Sequence, residues 1–402
     1  MSLNSEYLVV GGGVVGLSVA RELKLRYPDS VVVVLEKEDG VSKHASGRNS
    51  GVIHAGFYYS PDSLKAKLTL QGNESMKNFC TEKGLPIVRC GKVVVARKEE
   101  DKKAIQGLFE RGLENGVDVE LIDERRLYDL EPLAQTLDIA LWSPNTAVAD
   151  PLSVSRAIAI ELESLGVEVI TSEEVKKIHD GRLETKAGNI FRFRHLVNCA
   201  GLYADRIAHA MGFGGKYSMI PFLGLYFYAP ALTGTLQRHI YPAPDSRNPF
   251  LGVHFTRTTK DELKVGPTAI PVLSREQYGI FEGFKTSEFA EILKLYPKFA
   301  FSKHHDVWSL VKSELPKISR THLLKQASLL TDRIDVSRFT KRGTPGIRAQ
   351  LFDIQQGRLE MDFVIEGDAQ STHVLNAVSP GWTTCFSFAK HVVNDIESRV
   401  KF

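Results

Sequence analysis

The chain has 402 residues, with 51 Lys plus Arg against 48 Asp plus Glu and a formal charge of +3 at pH 7. That length exceeds one ordinary core and implies two domains. The near balance of charge, with no dense basic run, excludes a nucleic-acid binder. The four cysteines, Cys80, Cys90, Cys199 and Cys385, form no C-x-x-C pair for metal or redox work and suit a reducing compartment.

The first apolar run starts within a few residues of Met1, which leaves no room for a targeting peptide, and no apolar stretch is long enough to span a bilayer. The expectation is a cytoplasmic protein, with peripheral contact at an inner membrane left open. Tyr7 to Val10 read as a buried strand, Gly11, Gly13 and Gly16 form G-x-G-x-x-G, and Leu17 to Leu25 carry a helical apolar period. Gly11 allows the tight turn, Gly13 lets the backbone approach a pyrophosphate beside Val14 and Val15, and Gly16 lets helix and strand pack closely. Unpaired N–H groups at the helix N-terminus favour the phosphates. Val31 to Leu35 is a continuous apolar run, as expected of a parallel strand covered on both faces. It ends at Glu36, twenty residues after Gly16, placed to accept hydrogen bonds from a ribose diol, with Lys37 beside it. Strand, helix, strand and terminal acid in that order predict a dinucleotide-binding unit.

Asp39 to Ser60 is rich in Gly, Ser and His and reads as a long functional loop. A helix follows over Leu64–Lys83, then strands over Pro86–Ala96 and Val117–Ile122 around a helix at Lys102–Asn115. Asp150-Pro151 starts a helix, with the acid as N-cap and proline at the first helical position. After the strand Val167–Thr171, His195 to Gly201 is a second strand running into a glycine turn, followed by the helix Tyr203–Met211. Val175, Cys199, Ala200 and Gly201 are cofactor candidates from this unit.

From Tyr217 to about Phe339 the pattern changes. Ile220–Tyr228, Arg238–Pro242, Leu251–Arg257 and Glu262–Gly266 read as an antiparallel sheet, with helices near 286–296 and 303–313. No metal is expected: adjacent residues of His304-His305-Asp306 point in different directions on a helix, and no other ligand cluster accompanies them. Gly346 to Phe402 returns to strand and helix, with a Ser-Pro-Gly turn before the final helix; Gly381, Trp382 and Thr383 are cofactor candidates there. The fold expected is α/β joined to α+β. A discontinuous Rossmann-type domain of residues 1–85, 146–216 and 340–402 binds the dinucleotide, and residues 86–145 and 217–339 form a substrate domain on an antiparallel sheet.

The loop after the second strand selects the cofactor. Ser46-Gly47-Arg48-Asn49-Ser50-Gly51-Val52, continuing to Gly56, is dense in small residues and hydrogen-bond donors. A chain threading beside a flat isoalloxazine and a diphosphate needs that composition, so FAD is expected, contacted by Ser46, Arg48, Asn49, Ser50, Gly51 and Val52.

Ser46 to Tyr59, with Pro61 and Ser63-Leu64-Lys65-Ala66-Lys67, resembles the flavin loop of the L-2-hydroxyglutarate dehydrogenases (oxidases), members of the D-amino-acid-oxidase-like superfamily of FAD enzymes. The match continues through Arg89-Cys90-Gly91-Lys92, Asn198-Cys-Ala-Gly201, the 240–256 block from Ile240-Tyr-Pro-Ala to Val-His-Phe-Thr256, Gly346-Ile-Arg-Ala-Gln350 and Asn376-Ala-Val-Ser-Pro380. The resemblance implies noncovalent FAD, oxidation of an L-2-hydroxy acid to the 2-oxo acid by hydride transfer to flavin N5, and reoxidation by a quinone-linked acceptor or oxygen. It also implies an arginine and an acid where this chain has Leu223 and Leu225.

Alcohol oxidation needs a base for the hydroxyl proton and a cation for the carboxylate. Histidine titrates near neutrality; His54 follows the flavin loop directly and ranks first, and His254 of the substrate sheet second. Arg348 suits a carboxylate clamp, because a planar guanidinium binds carboxylate bidentately. Lys65 could reach a distal carboxylate, and Tyr241 could donate to either one. Related FAD enzymes acting on a small amine or glycerol 3-phosphate, and a flavin-binding protein without turnover, are the alternatives at this point.

Overall fold

The computed structural model describes residues 2–230, 236–245, 250–304 and 306–400. Residues 246–249 of the 240–256 block, and His305, lie outside the described residues.

The first sheet grows from the opening strand Ser2–Val10, which pairs in parallel with Val32–Leu35 on one side and Ile190–Asn198 on the other. Glu168–Ile170 extends it past the former and Ser371–Asn376 past the latter, again in parallel. The end of the chain thus returns beside its beginning. Alternate residues of the opening strand serve opposite faces, as the two-residue period of a strand requires. Tyr7 and Val9 join a core with Leu17, Leu23, Ile158 and Val392 from three helices, whereas Leu8 and Val10 join another with Leu196 and Ile207. Burial on both faces explains the unbroken apolar run Val32–Leu35.

A hairpin not expected from the sequence, Val175–His179 with Arg182–Thr185, pairs antiparallel onto Ile190–Asn198. Its turn is Asp180-Gly181, both at positive φ, the pattern that a tight two-residue hairpin demands.

The second sheet runs Lys341–Arg342, Phe227–Ala229, Leu263–Gly266, His254–Arg257, His239–Pro242, Lys92–Val95, Ile139–Ser143, Glu120–Asp123. Its pairings are antiparallel except that His239–Pro242 lies parallel to Lys92–Val95. A smaller sheet joins Ile270–Pro271, Tyr217–Gly224, Gly346–Asp353 and Arg358–Leu359. Residues 341–359, expected with the nucleotide-binding part, therefore pair in these two sheets instead, and the return to the first sheet begins at Val364–Gly367. Val52–Ile53 pairs with Ala147–Ala149, which fixes the end of the long loop just before His54.

Candidate active site

A continuous cleft runs from the glycine turn after the opening strand to Phe222 and Arg348 on the smaller sheet. Every expected cofactor residue lines it except Gly16 and Gly51. Those two act behind the wall, where their Cβ atoms would stand 2.0 and 2.3 Å from the carbonyl oxygens of Gly11 and Ala149. Gly11 is at φ +114°, and a Cβ there would meet the Cys199 carbonyl at 2.4 Å, so only glycine lets the two strand–glycine turns converge.

At this end the carboxylate of Glu36 is fixed by the protein's own backbone. Its oxygens accept from the Gly12 N–H at 2.8 Å and the Glu38 N–H at 2.9 Å, and the residue is buried. A carboxylate oxygen has more than one lone pair, so acceptor capacity remains for a diol. The Val14 N–H donates to Ser46 Oγ at 3.0 Å, which ties the long loop to the first helical turn. Replacing Glu36 by Ala should remove charge-assisted bonds to the ribose and weaken FAD binding by about 10- to 100-fold. The 450 nm absorbance remaining after exhaustive dialysis measures this, and an unchanged flavin content would remove Glu36 from the ribose site.

Beside Glu36, the carboxylates of Glu38 and Glu276 converge with His44 within 4.8 Å. The Lys37 ammonium bonds to both acids, so half of the cluster's negative charge is offset by its own lysine. Against the effect of burial, hydrogen bonds from Lys37 and His44 hold Glu38 down at about 2.

The far end of the cleft holds His54 and Arg348. The backbone of His54 is clamped: its N–H donates to Thr383 Oγ1 at 3.1 Å, and its carbonyl accepts from Asn73 Nδ2 at 3.0 Å. The imidazole stands on the cleft wall, and its buried Nδ1 has no hydrogen-bond partner. Burial first, then the charges of Lys92, His254, His239 and Arg348, push its pKa well below 6.5. His54 is therefore uncharged at neutral pH with a lone pair to offer.

Arg348 pairs with Phe222 across the smaller sheet and lies 4.8 Å from the ring centre of Phe250. Among the described residues it has no carboxylate partner, and burial lowers its pKa. A half-buried guanidinium without an acid, open to a cleft, is a receptor for an anion.

Three expected site residues stand behind the wall rather than on it. His254 donates through Nδ1–H to the Gly252 carbonyl at 2.8 Å and stacks on Tyr241 with ring centres 3.7 Å apart. Lys65 is buried at the start of the helix Leu64–Glu82, 5.7 Å from the Phe363 ring centre. Burial and the charge of Arg348 bring it down to about 7. The two leucines are explained by the period of their segment: Phe222, Gly224 and Tyr226 line the cleft, whereas Leu223 and Leu225 are buried in the core of the second sheet. They stand where two charges would have no water, and an apolar pair suits such a place as well as an ion pair.

Sequence reasoning left Tyr226, Ser379 and Arg206 of the cleft wall unassigned. It also gave no role to Lys92, whose signal was a lysine heading an otherwise apolar strand.

A parallel sheet with a glycine turn and an acid at one end of a cleft, and a neutral histidine with an unpaired arginine at the other, defines a dinucleotide-dependent oxidoreductase. The chain belongs to the DAO family of FAD-dependent oxidoreductases, whose family model matches residues 6–394. FAD is its cofactor, and the residues present fit it: the glycine cradle is closed to any Cβ, and the buried Trp382 Nε1 on the cleft wall lacks a partner of its own. The chain is 35% identical to a Homo sapiens protein named L-2-hydroxyglutarate dehydrogenase, mitochondrial, covering 98% of this chain and 89% of the relative. It is 34% identical to the Bos taurus protein of the same name, with the same coverage of 98% and 89%. A solved L-alpha-glycerophosphate oxidase from Mycoplasma pneumoniae with FAD bound shares the fold, at TM-score 0.79, 21% identity, and 98% and 94% coverage. Among the described residues no helix is long and apolar enough to cross a membrane.

Proposed function

We propose that this protein oxidises L-2-hydroxyglutarate to the 2-oxo acid. The observation that carries the reading is the pairing of an uncharged, partnerless imidazole with an acid-free guanidinium on one cleft wall. The relatives' names supply the particular hydroxy acid. When bound, FAD supplies a two-electron acceptor for the hydride leaving C2. Gly11 and Gly13 would hold its phosphates, Glu36 its ribose, and the loop Ser46–Val52 with the turn Gly381–Thr383 its flavin end. Arg348 binds a substrate carboxylate through two parallel N–H donors and so fixes C2. His54 takes the hydroxyl proton as the C–H bond breaks. The rings of Phe222 and Tyr226 on the wall keep water from the reacting carbon. A quinone-linked acceptor or oxygen would take up the electrons, and a quinone would be met by peripheral contact with a membrane. The second and third sheets act as the substrate domain and the first as the cofactor domain.

The test is the visible spectrum of the holoenzyme under anaerobic L-2-hydroxyglutarate, L-lactate, sarcosine and glycerol 3-phosphate. Bleaching by the first alone, or fastest by far, is the expected result; bleaching only by sarcosine or glycerol 3-phosphate overturns the proposal. Replacing Arg348 by Met should raise KM for the hydroxy acid by about 10- to 100-fold through loss of charge-assisted bonds. Steady-state kinetics checks this, and an unchanged KM would place the carboxylate elsewhere.

A further inference from the structure

The hydrogen-bonded hold on His54 enters through its main chain. A catalytic imidazole is ordinarily oriented by a group bonded to its second nitrogen. The buried Nδ1 of His54 has no partner, so no third group orients the ring through it. His54 also stands one residue past the strand ladder, whose last pair is Ile53 with Ala147. Two residues further on, Gly56 turns the chain away at φ +114°. The place of the ring therefore depends on the two clamps on its backbone, from Thr383 Oγ1 and Asn73 Nδ2.

Asn73 lies on the helix Leu64–Glu82 and is 5% exposed. Its Nδ2 donates to the carbonyls of His54 and Asn145, each at 3.0 Å, and to that of Ile53 at 3.4 Å. The amide has two hydrogens, so three carbonyls share them and none is spare. Asn145 precedes the strand Ala147–Ala149, the partner of Val52–Ile53. One side chain thus ties both strands of this pairing to the helix. Lys77, one helical turn on, also donates to the Asn145 carbonyl, at 2.6 Å. Among the described residues the His54 carbonyl has Asn73 alone. Gly72 sets the depth of the helix: a Cβ there would meet Thr384 Cα at 2.7 Å and the Thr383 carbonyl oxygen at 3.0 Å. The helix therefore lies directly on the turn that carries the other clamp, and both holds on His54 come from one junction.

We propose that Asn73 is a positioning residue for the oxidation, whose amide holds the His54 carbonyl and so aims the imidazole at the substrate hydroxyl. This rests on the reading of His54 as the base. Asn73 is not itself on the cleft wall and acts only through His54. Buried carbonyls rarely stay unpaired, so a peptide plane that loses its donor turns to find another. The Cα–Cβ bond of His54 turns with it. A misplacement of about 1 Å at the reacting nitrogen is enough to cost about 100-fold in rate.

The experiment is a double-mutant cycle on the holoenzyme, read as the rate of anaerobic flavin bleaching by L-2-hydroxyglutarate. Asn73→Leu keeps much of the shape of the side chain and removes its donors. It should lower the limiting rate by about 10- to 100-fold and leave FAD content and the half-saturating substrate concentration as in the wild type. In a His54→Gln background the same substitution should cost nothing further, because its effect passes through the imidazole. Lys77→Met, which takes a donor from Asn145 but none from His54, should be reduced like the wild type. By NMR of holoenzyme carrying 13Cε1-labelled histidine, the His54 resonance is assigned by its loss in His54→Gln. It should move or split in Asn73→Leu and keep its place in Lys77→Met. An unchanged rate in Asn73→Leu, an equal loss in both backgrounds, an equal loss in Lys77→Met, or an unmoved His54 resonance overturns the proposal. Should Asn73→Leu fail to fold, Asn73→Ala is read by the same criteria. If His54→Gln is itself reduced as fast as the wild type, the reading of His54 as the base fails. If it is slow and the cycle is additive, the role of Asn73 alone fails.

Discussion

Replacing His54 by Gln should slow anaerobic reduction of the flavin by L-2-hydroxyglutarate by about 10²- to 10⁴-fold, the usual worth of a positioned base. Glutamine preserves much of the volume and the backbone clamps to Thr383 and Asn73, so FAD content should stay near that of the wild type. What it lacks is a nitrogen able to take a proton. The pH dependence gives a second reading. Because burial and neighbouring cations depress the imidazole, its uncharged form persists below the ordinary histidine range, and the wild-type rate should hold as pH falls through 6.5. An acid limb centred at or above that value would contradict the neutral His54. If His54→Gln is reduced as fast as the wild type, the base lies elsewhere. His254 is then next, since its Nδ1–H bond to Gly252 leaves the Nε2 lone pair available. Its place behind the cleft wall, stacked on Tyr241, makes it the weaker candidate.

The parts of the molecule that were legible in the sequence are those whose physics is local. Gly11, Gly13 and Gly16 answer to contacts within one strand–turn–helix unit, and Glu36 to the end of the next strand. Each could be read from spacing, and all but the packing glycine Gly16 line the cleft. What stayed hidden depends on register between segments far apart in the chain. Arg348 reads in the sequence as a carboxylate clamp, but its place on the cleft depends on the pairing of its strand Gly346–Asp353 with Tyr217–Gly224. The same pairing sets Phe222 on the cleft while Leu223 faces the core, a distinction that a one-residue shift would reverse. Lys92 is the clearest case. A lysine before three valines reads as a strand terminus in solvent, yet the parallel partner His239–Pro242 and the chain after Ile53 enclose it. The hairpin at 175–185 was legible in principle through Asp180-Gly181, but its polar strands lack the alternation that marks a half-buried sheet.

The largest expected loss of stability comes from a buried ion pair that joins the helix Ala204–Ala210 to the segment around Arg275. Arg275 is fully enclosed, and its Nη1 and Nη2 meet Asp205 Oδ1 and Oδ2 at 2.6 and 2.8 Å. Nη2 also reaches Glu291 Oε1 at 2.5 Å on the helix Thr286–Ala300. Asp205, on the helix Ala204–Ala210, accepts in addition from the Met219 N–H at 3.0 Å. Neighbouring Tyr203 and Arg206 line the cleft, so this junction sets its wall. Replacing Asp205 by Ala leaves the guanidinium with the partly exposed Glu291 and the Leu202 carbonyl but without its buried two-point partner, and should cost about 3–5 kcal/mol, the range for removing one partner of a buried ion pair. The urea midpoint of the holoenzyme should fall accordingly. Replacing both partners by apolar residues, Asp205→Leu with Arg275→Met, removes the charge with its counter-charge and should recover most of the loss, since such exchanges are often neutral. If the double variant is no more stable than Asp205→Ala, the pair contributes through its geometry at this junction, and the charge-burial account of Arg275 is wrong.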